Sequence, residues 1–332
     1  MFYNNKKKLI KYFTNLALDV GFTIIDVGAR KDKARSNPST KRDFNIIAKG
    51  CDYFGYEPDK EEYNKLLKIK NQFWNTQKFI SDALGESDGS FDLNFYAQPG
   101  FSSKLKAKKD QFSLFSRSSY LGNLNKSILV NVTTLDDSIK KNKISNPSFL
   151  KIDVQGMELE VFKGARNFLK NQCLGIRVEI AFHELYENQP LFFEIDSHLR
   201  KLGFFPFQFL ELHSWRRDSK KKFPFKDPHA KINFSKGQLI HGDIIYLKNP
   251  LSLPKKDINK QKIRLALIAL CYQHFDMAHS IFCSIKSKDI DFKETIIKCE
   301  KFARIQSKAY FFDRCFILIK KILNRLNYIK EF

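Results

Sequence analysis

The sequence predicts an α/β fold, a mostly parallel sheet with helices on both faces, followed by an all-helical C-terminal region. Three observations predict it. From Phe22 to Asn249, short runs of β-branched and aromatic residues alternate with stretches of helical period, which is how strands joined by crossover helices read. Residues 260–332 contain almost no Gly or Pro and keep a helical period throughout. The 332 residues are 43% hydrophobic and 28% charged, enough to bury a full core and unlike a disordered or collagen-like chain.

The elements follow in order. Leu9, Ile10, Phe13, Leu16, Ala17 and Val20 fall at helical spacing, so residues 1–20 read as an amphipathic N-terminal helix. Strands are predicted at Thr23–Val27, Tyr53–Tyr56, Lys78–Ser81, Phe91–Tyr96, Phe149–Ile152, Leu174–Ile180, Phe204–Phe209 and Asp243–Leu247. Helical patterns lie between several of them, at Asp59–Lys70, Met157–Lys170 and Leu191–Leu202. The sheet-bearing domain therefore spans 21–250. Pro250, Pro254 and polar neighbours mark a linker at 251–259, and 260–332 forms the helical region. Its last helix sets Phe312, Phe316, Ile319, Leu323 and Leu326 along one stripe, with Lys320, Lys321, Arg325 and Lys330 elsewhere. Such a helix packs on its neighbours or lies on a membrane surface, making peripheral contact through its basic residues.

Composition narrows the function. The six cysteines show no C-x-x-C and no paired-His zinc spacing, so reduced thiols are expected and no disulfide framework. The longest apolar run, Leu265–Tyr272, is far short of the ~18 residues a spanning helix needs. Lys11 and Asp19 interrupt what would be the apolar core of a signal peptide. A cytoplasmic location is expected. Lys and Arg number 58 against 36 Asp and Glu, a net +22, and residues 255–332 carry +9 of it. Such charge attracts nucleic acid, anionic glycan or acidic membrane, but Lys together with abundant Asn, Ile and Phe is also what an AT-rich genome imposes.

In an open parallel sheet, ligands bind beyond the carboxyl ends of the strands. Four such positions are acidic here. The first strand runs into Asp26-Val27-Gly28-Ala29-Arg30, where Gly28 permits close backbone approach and Asp26 accepts hydrogen bonds. Glu57 ends the second strand, 31 residues after Asp26, placed to grip a ribose diol. Asp82 follows the third strand beside the apolar Ala83 and Leu84, a setting for an adenine amino group. Asp153 ends the strand Phe149–Ile152. Together they outline a pocket for an adenosine-containing cofactor, or else a row of turn carboxylates.

Residues 23–249 resemble the FkbM family of S-adenosylmethionine-dependent methyltransferases. The resemblance runs through IIDVGAR at 24–30, FGYEPDKEE at 54–62, SDALGESDG at 81–89 and VTTLDD at 132–137. It continues in FLKIDVQGMELEVFKGA at 149–165, GIRVEIAFHELYENQPLFFEIDSHLRKLGF at 175–204 and GQLIHGDIIYL at 237–247. It implies a Rossmann-like class I methyltransferase sheet of about seven strands with the last one antiparallel, and methyl transfer to an oxygen. The acceptors it implies are sugar hydroxyls of cell-surface polysaccharides or secondary metabolites. On this chain Asp26, Gly28 and Ala29 would lie at the methionine end of S-adenosylmethionine, Glu57 would hold the ribose, and Asp82 with Ala83 would face the adenine. Two departures stand out: Asp32 where a second Gly is usual, with Arg30 where Asn is frequent, and Gln155 where Glu is frequent.

Methyl transfer to oxygen needs an acceptor about 3 Å from the methyl carbon and a base for its proton. His183, after the strand ending at Ile180, suits the base, or else caps a helix. Glu179 alternates with apolar neighbours, so it orients His183, contacts the acceptor, or pairs with a cation such as Arg177. Asp153, Glu179 and His183 are thus the catalytic candidates. They offer oxygen and nitrogen atoms to a divalent cation, but their spacing is no metal motif and no metal ligand is predicted. The Ser- and Lys-rich segment Gln98–Asn125 reads as a long loop, a lid over the site. A second basic insert from His213 to Phe223 offers Trp215 for sugar stacking and Arg216 or Arg217 for an anion, or is an exposed loop. Competing readings are a nucleic-acid methyltransferase, against which stands the lack of an N-P-P-Y-like or RNA-binding motif, and a degenerate fold serving as a scaffold.

Overall fold

A computed structural model describes residues 2–30, 39–115, 120–217, 237–285 and 292–308. The chain runs through α1 (Phe2–Val20), β1 (Thr23–Val27), α2 (Ser39–Asp43), β2 (Asp52–Tyr56), α3 (Lys60–Leu67), β3 (Thr76–Ile80), β4 (Ala83–Leu84), β5 (Gly89–Tyr96) and α4 (Lys109–Ser113). It continues with β6 (Leu124–Thr133), α5 (Leu135–Lys141), β7 (Pro147–Ile152), α6 (Glu158–Lys163), α7 (Arg166–Asn171), β8 (Gly175–Ala181), α8 (Phe192–Lys201), β9 (Phe204–Trp215), β10 (Gln238–Lys248), α9 (Ile258–Cys271) and α10 (Phe275–Cys283). A last helix, α11, covers 292–308.

Seven strands form the main sheet in the order β3-β2-β1-β7-β8-β10-β9. The strands from β3 to β8 pair in parallel, and β10 runs antiparallel to both β8 and β9. This is the α/β fold that the strand and helix alternation predicts, with the last strand reversed. Helices cover both faces. On one, Leu9, Phe13 and Ala17 of α1 and Ala266 and Leu270 of α9 join Ile24, Phe149 and Ile245 in one core. On the other, Val161, Phe168 and Leu199 of α6, α7 and α8 pack on Ile25, Leu150 and Val178. The first and last parts of the chain thus share a core, and Arg264 of α9 fastens them by donating to the carbonyls of Val20 and Gly21 that end α1.

Three sequence expectations differ in detail. Phe91–Tyr96 is a strand, but it belongs to a separate three-stranded sheet, β4-β6-β5. Its partner β6 begins in the segment read as a polar loop, because its outer positions carry Asn, Lys and Ser that conceal the alternation. The helix expected over Met157–Lys170 is two, since the Asp136 carboxylate accepts from the amides of Asn167 (2.8 Å) and Phe168 (2.8 Å) and starts α7 afresh. Cys51, Cys173, Cys271, Cys283 and Cys299 are free thiols. Among the described residues no helix is long and apolar enough to cross a membrane. The last helix with its apolar stripe and basic residues at 312–330, the altered turn at 31–33 and most of the basic insert after Arg217 lie outside the described residues.

The ends of β1 and β7 meet at Gly28. Its φ is +78°, and a Cβ there would sit 2.1 Å from the carbonyl oxygen of Asp153. The glycine thus serves contact between two strand ends. Gly28→Ala is expected to cost on the order of 2 kcal/mol or more in unfolding free energy, measured by chemical denaturation; an unchanged midpoint would refute this account.

Candidate functional site

The alternation that buries Ile24, Phe149 and Ile245 carries polar residues to the same face one pleat nearer the carboxyl edge. In register, Asp26 of β1 lies beside Lys151 of β7, and Lys151 beside Arg177 of β8. In the next row Glu179 of β8 lies opposite Asp243 of β10, which lies opposite Glu211 of β9. His241, two residues along β10, pairs across to His213. A line of charge thus crosses the sheet where the strands end.

Each member is held. Asp26, only 2% exposed, accepts from Thr40 (2.7 Å) and Tyr53 (2.9 Å) through Oδ2 and sits 3.2 Å from the Lys151 ammonium through Oδ1. Lys151 also donates to the Gly28 carbonyl (3.0 Å) and lies 3.9 Å from Asp153. These carboxylates hold the buried amine charged and above its ordinary range, against the pull of burial. Arg177 grips Asp243 and donates to Asp43 (2.8 Å). It therefore does not pair with Glu179.

Glu179 instead meets His241, whose Nδ1 is 3.0 Å from Oε1. Its other oxygen accepts from the Gln155 amide (2.6 Å), which donates as well to Asp153 (2.9 Å). Burial, then the neighbouring Asp153 and Asp243 charges, push the Glu179 carboxyl well above the carboxylate range, while burial pushes the His241 imidazole down. Gln155 is held at a left-handed φ of 54°. The turn is fixed by Ser103, which donates to the Gln155 carbonyl (2.7 Å), and by the buried Glu158, which accepts from the amides of Val154 and Gly156. Burial raises Glu158 to about 8.

His183 stands farther out. Its Nδ1 is 3.2 Å from the Gln238 amide, its ring meets Phe115 edge-on, and its Nε2 is buried with no partner among the described residues. Burial and the nearby Arg217 lower its pKa. Over this end lies an apolar cluster of Tyr96, Phe112, Phe115, Tyr186 and Ile240, joined by Phe101 and Trp215. Trp215 packs within that cluster and meets His241 edge-on at 5.9 Å. From the segment expected to be a lid, Phe101, Ser102, Lys104 and Leu121 border the site, and its Lys104 and Lys108 pair with Glu160 (2.8 Å) and Glu184 (2.7 Å).

At the other end, Glu57 accepts from the Asp59 amide (2.9 Å). Burial outweighs that bond and the Arg30 charge and raises its carboxyl to about 7. Arg30 pairs with Asp59 (3.2 Å) and Glu62 (3.4 Å). Asp82 lies 3.7 Å from Lys141, beside the buried Ala83 and Leu84. The amides of Gly28 and Ala29 both donate to the Tyr56 carbonyl, so neither is turned to a ligand.

One cavity of about 1960 Å³ joins the two ends. Asp26, Gly28, Ala29, Glu57, Asp82, Ala83, Asp153, Glu179 and His183 all line it, so every residue assigned from sequence to catalysis or cofactor binding borders the same space, while Arg217 is not among its lining residues. Lys151, Glu158 and His241 line it too and were missed, and Arg177, considered only as a partner for Glu179, lines it as well; the alternation Phe149-x-Lys151-x-Asp153 and Arg177-x-Glu179 was the available signal. No group of three or more His, Cys, Asp or Glu among the described residues could hold a metal ion.

A family model described as the methyltransferase FkbM domain matches residues 26–206, more than half of the chain. The crystal structure of methyltransferase FkbM from Methylobacillus flagellatus KT is similar with 13% identity and a TM-score of 0.37, over 69% of this chain and 44% of that one. This chain thus spans less than half the length of that protein. No curated protein matches the sequence.

Lys151→Met would strand Asp26 as an uncompensated buried charge, at a cost of about 3–5 kcal/mol. Adding Asp26→Asn should recover a substantial part of that loss in urea unfolding. Additive losses in the double variant would contradict the pairing.

Proposed function

This chain belongs to the FkbM methyltransferase family, and from that premise we propose that it transfers a methyl group from S-adenosylmethionine to a hydroxyl of a sugar or glycosylated metabolite. The observation that carries the reading is the single cavity of about 1960 Å³. A pocket for one ligand commonly measures about 300–1,000 Å³, so this one has room for a cofactor and an acceptor together.

The residues present fit the cofactor at its adenosine end. Glu57 is a buried carboxylate on the cavity wall with a single hydrogen bond to its side chain among the described residues, and a ribose diol supplies further donors. Ala83 and Leu84 give adenine an apolar wall, with Asp82 an acceptor beside it. Asp26, Gly28 and Ala29 border the methionine end, where they shape the wall, since their polar groups are engaged within the protein. When bound, S-adenosylmethionine supplies an activated methyl on a sulfonium.

The chain's own residues do the rest. Asp153 accepts from acceptor hydroxyls and fixes the orientation of the one that reacts, while Glu179 holds His241 beside it. The apolar cluster around Tyr186 and Trp215 keeps water from that end. His183, His213 and His241 are the imidazoles that line the cavity. The carboxyls around this end favour a neutral polyol over an anion, in keeping with a glycan hydroxyl.

The test is calorimetric titration with S-adenosylhomocysteine. Micromolar binding is expected, with a loss of at least about tenfold in Glu57→Ala, roughly one charge-assisted hydrogen bond. A diol donates to the ionised carboxylate, so binding should strengthen as pH rises through about 7, by up to about tenfold between pH 6 and pH 8. No binding to folded protein would favour a scaffold, and methyl incorporation into RNA but not glycosides would favour a nucleic-acid substrate.

A further inference from the structure

We infer that His241, oriented by Glu179, is the base that takes the acceptor's proton, and that His183 is not. The inference rests on the methyltransferase reading above and assigns a role that reading leaves open among the imidazoles on the cavity wall; the third of these, His213, stacks on His241 and turns its Nε2 toward Glu211 at 3.8 Å.

Geometry separates His241 from His183. His241 has Nδ1 against the Glu179 carboxyl at 3.0 Å, and among the described residues no hydrogen bond engages its Nε2, on a ring that lines the cavity. Its plane is fixed by a stack on His213 at 4.6 Å and by the Trp215 edge. A carboxylate that accepts from Nδ1–H leaves the lone pair of Nε2 for the substrate. His183 has the opposite arrangement, with Nδ1 taken by Gln238 and Nε2 buried.

Electrostatics separates them again. Once protonated, His241 faces Glu179, with Asp153 beyond the β7 end and Asp243 on its own strand. Lys151 is a cation acting on Glu179, Glu158 of α6 and Tyr186 are ionisable groups around it, and from β9 His213 stacks on the His241 ring with Glu211 3.8 Å from its Nε2. Protonated His183 faces Arg217 and Lys108, relieved only by Glu184. The charges around His241 thus offset part of what burial takes from an imidazolium, whereas those around His183 on balance add to the opposition.

The step balances. The acceptor O–H proton passes to Nε2 of His241, the oxygen pair forms the new bond to the methyl carbon, and the pair of the broken carbon–sulfur bond stays on sulfur. The imidazolium then returns its proton to solvent. Glu179 is a positioning residue, and the proton is shared between it and His241, so the pair titrates as a unit. The base-competent form, ionised Glu179 with neutral His241, is the one that prevails toward high pH.

The experiment is NMR of the full chain labelled with ¹⁵N-histidine, across pH 5 to 9, free and with S-adenosylhomocysteine. Resonances of His241 are assigned by their loss in His241→Gln. The expected result is a His241 that keeps its proton on Nδ1 and leaves Nε2 bare above its titration. Glu179→Gln should lower that titration by on the order of 1 pH unit, while His183→Gln leaves it in place. Proton on Nε2 at high pH overturns the assignment, as does a titration indifferent to Glu179→Gln. The wild-type tautomer decides the matter even where a variant does not fold. Failure of the cofactor reading would show separately, as absent binding of S-adenosylhomocysteine.

Discussion

Two buried cations set what the carboxyl edge of this sheet can be. Lys151 and Arg177 lie side by side in register, and around them stand Asp26, Asp43, Asp153, Glu211 and Asp243. So many carboxylates in a low-dielectric cleft would each shed its charge unless compensated. The two side chains pair with them and fix their places. Desolvation takes back much of what the pairs gain, so the arrangement speaks for position more than for stability. Glu179 is the exception that follows from this layout, since its nearest charges are other carboxylates.

The same layout bears on the net charge of +22. On the cavity wall, carboxylates of the fold engage Arg30 (Asp59), Lys65 (Glu62), Lys104 (Glu160), Lys151 (Asp26) and Arg177 (Asp243). Screened, exposed lysines act over about 10 Å at ordinary salt. Charge alone is therefore no argument that the reacting group is a nucleic acid.

The main sheet was legible because the sequence patterns that mark it are local. Thr23–Val27 and Phe149–Ile152 are buried apolar runs, and the carboxylates that end β1, β2 and β7 follow directly from strand ends. The small sheet was not, since β6 shows its polar residues outward and pairs with β5 across a segment rich in Ser and Lys. Nor was the Glu179–His241 pair, whose members are 62 residues apart. It exists only because β10 inserts antiparallel between β8 and β9, and no local period encodes an insertion. Arg177 looked like a neighbour for Glu179 in sequence, yet the carboxylates that hold it, Asp43, Glu211 and Asp243, come from other elements.

Gln155 shows how finely the acidic end is set. Its amide donates to Asp153 and to Glu179 from one nitrogen, using both hydrogens of the NH₂ group. A carboxylate at this position would turn two hydrogen bonds into two repulsions and push the Glu179–His241 pair to hold its proton more tightly. The amide does the reverse, favouring ionised Glu179 and with it an Nδ1–H imidazole. Keeping a non-glycine residue at a left-handed φ costs about 1–3 kcal/mol, which the Ser103 and Glu158 bonds to this turn offset. Strain at Gln155 is thus tied to the protonation state of a histidine two strands away, through a carboxylate that touches both.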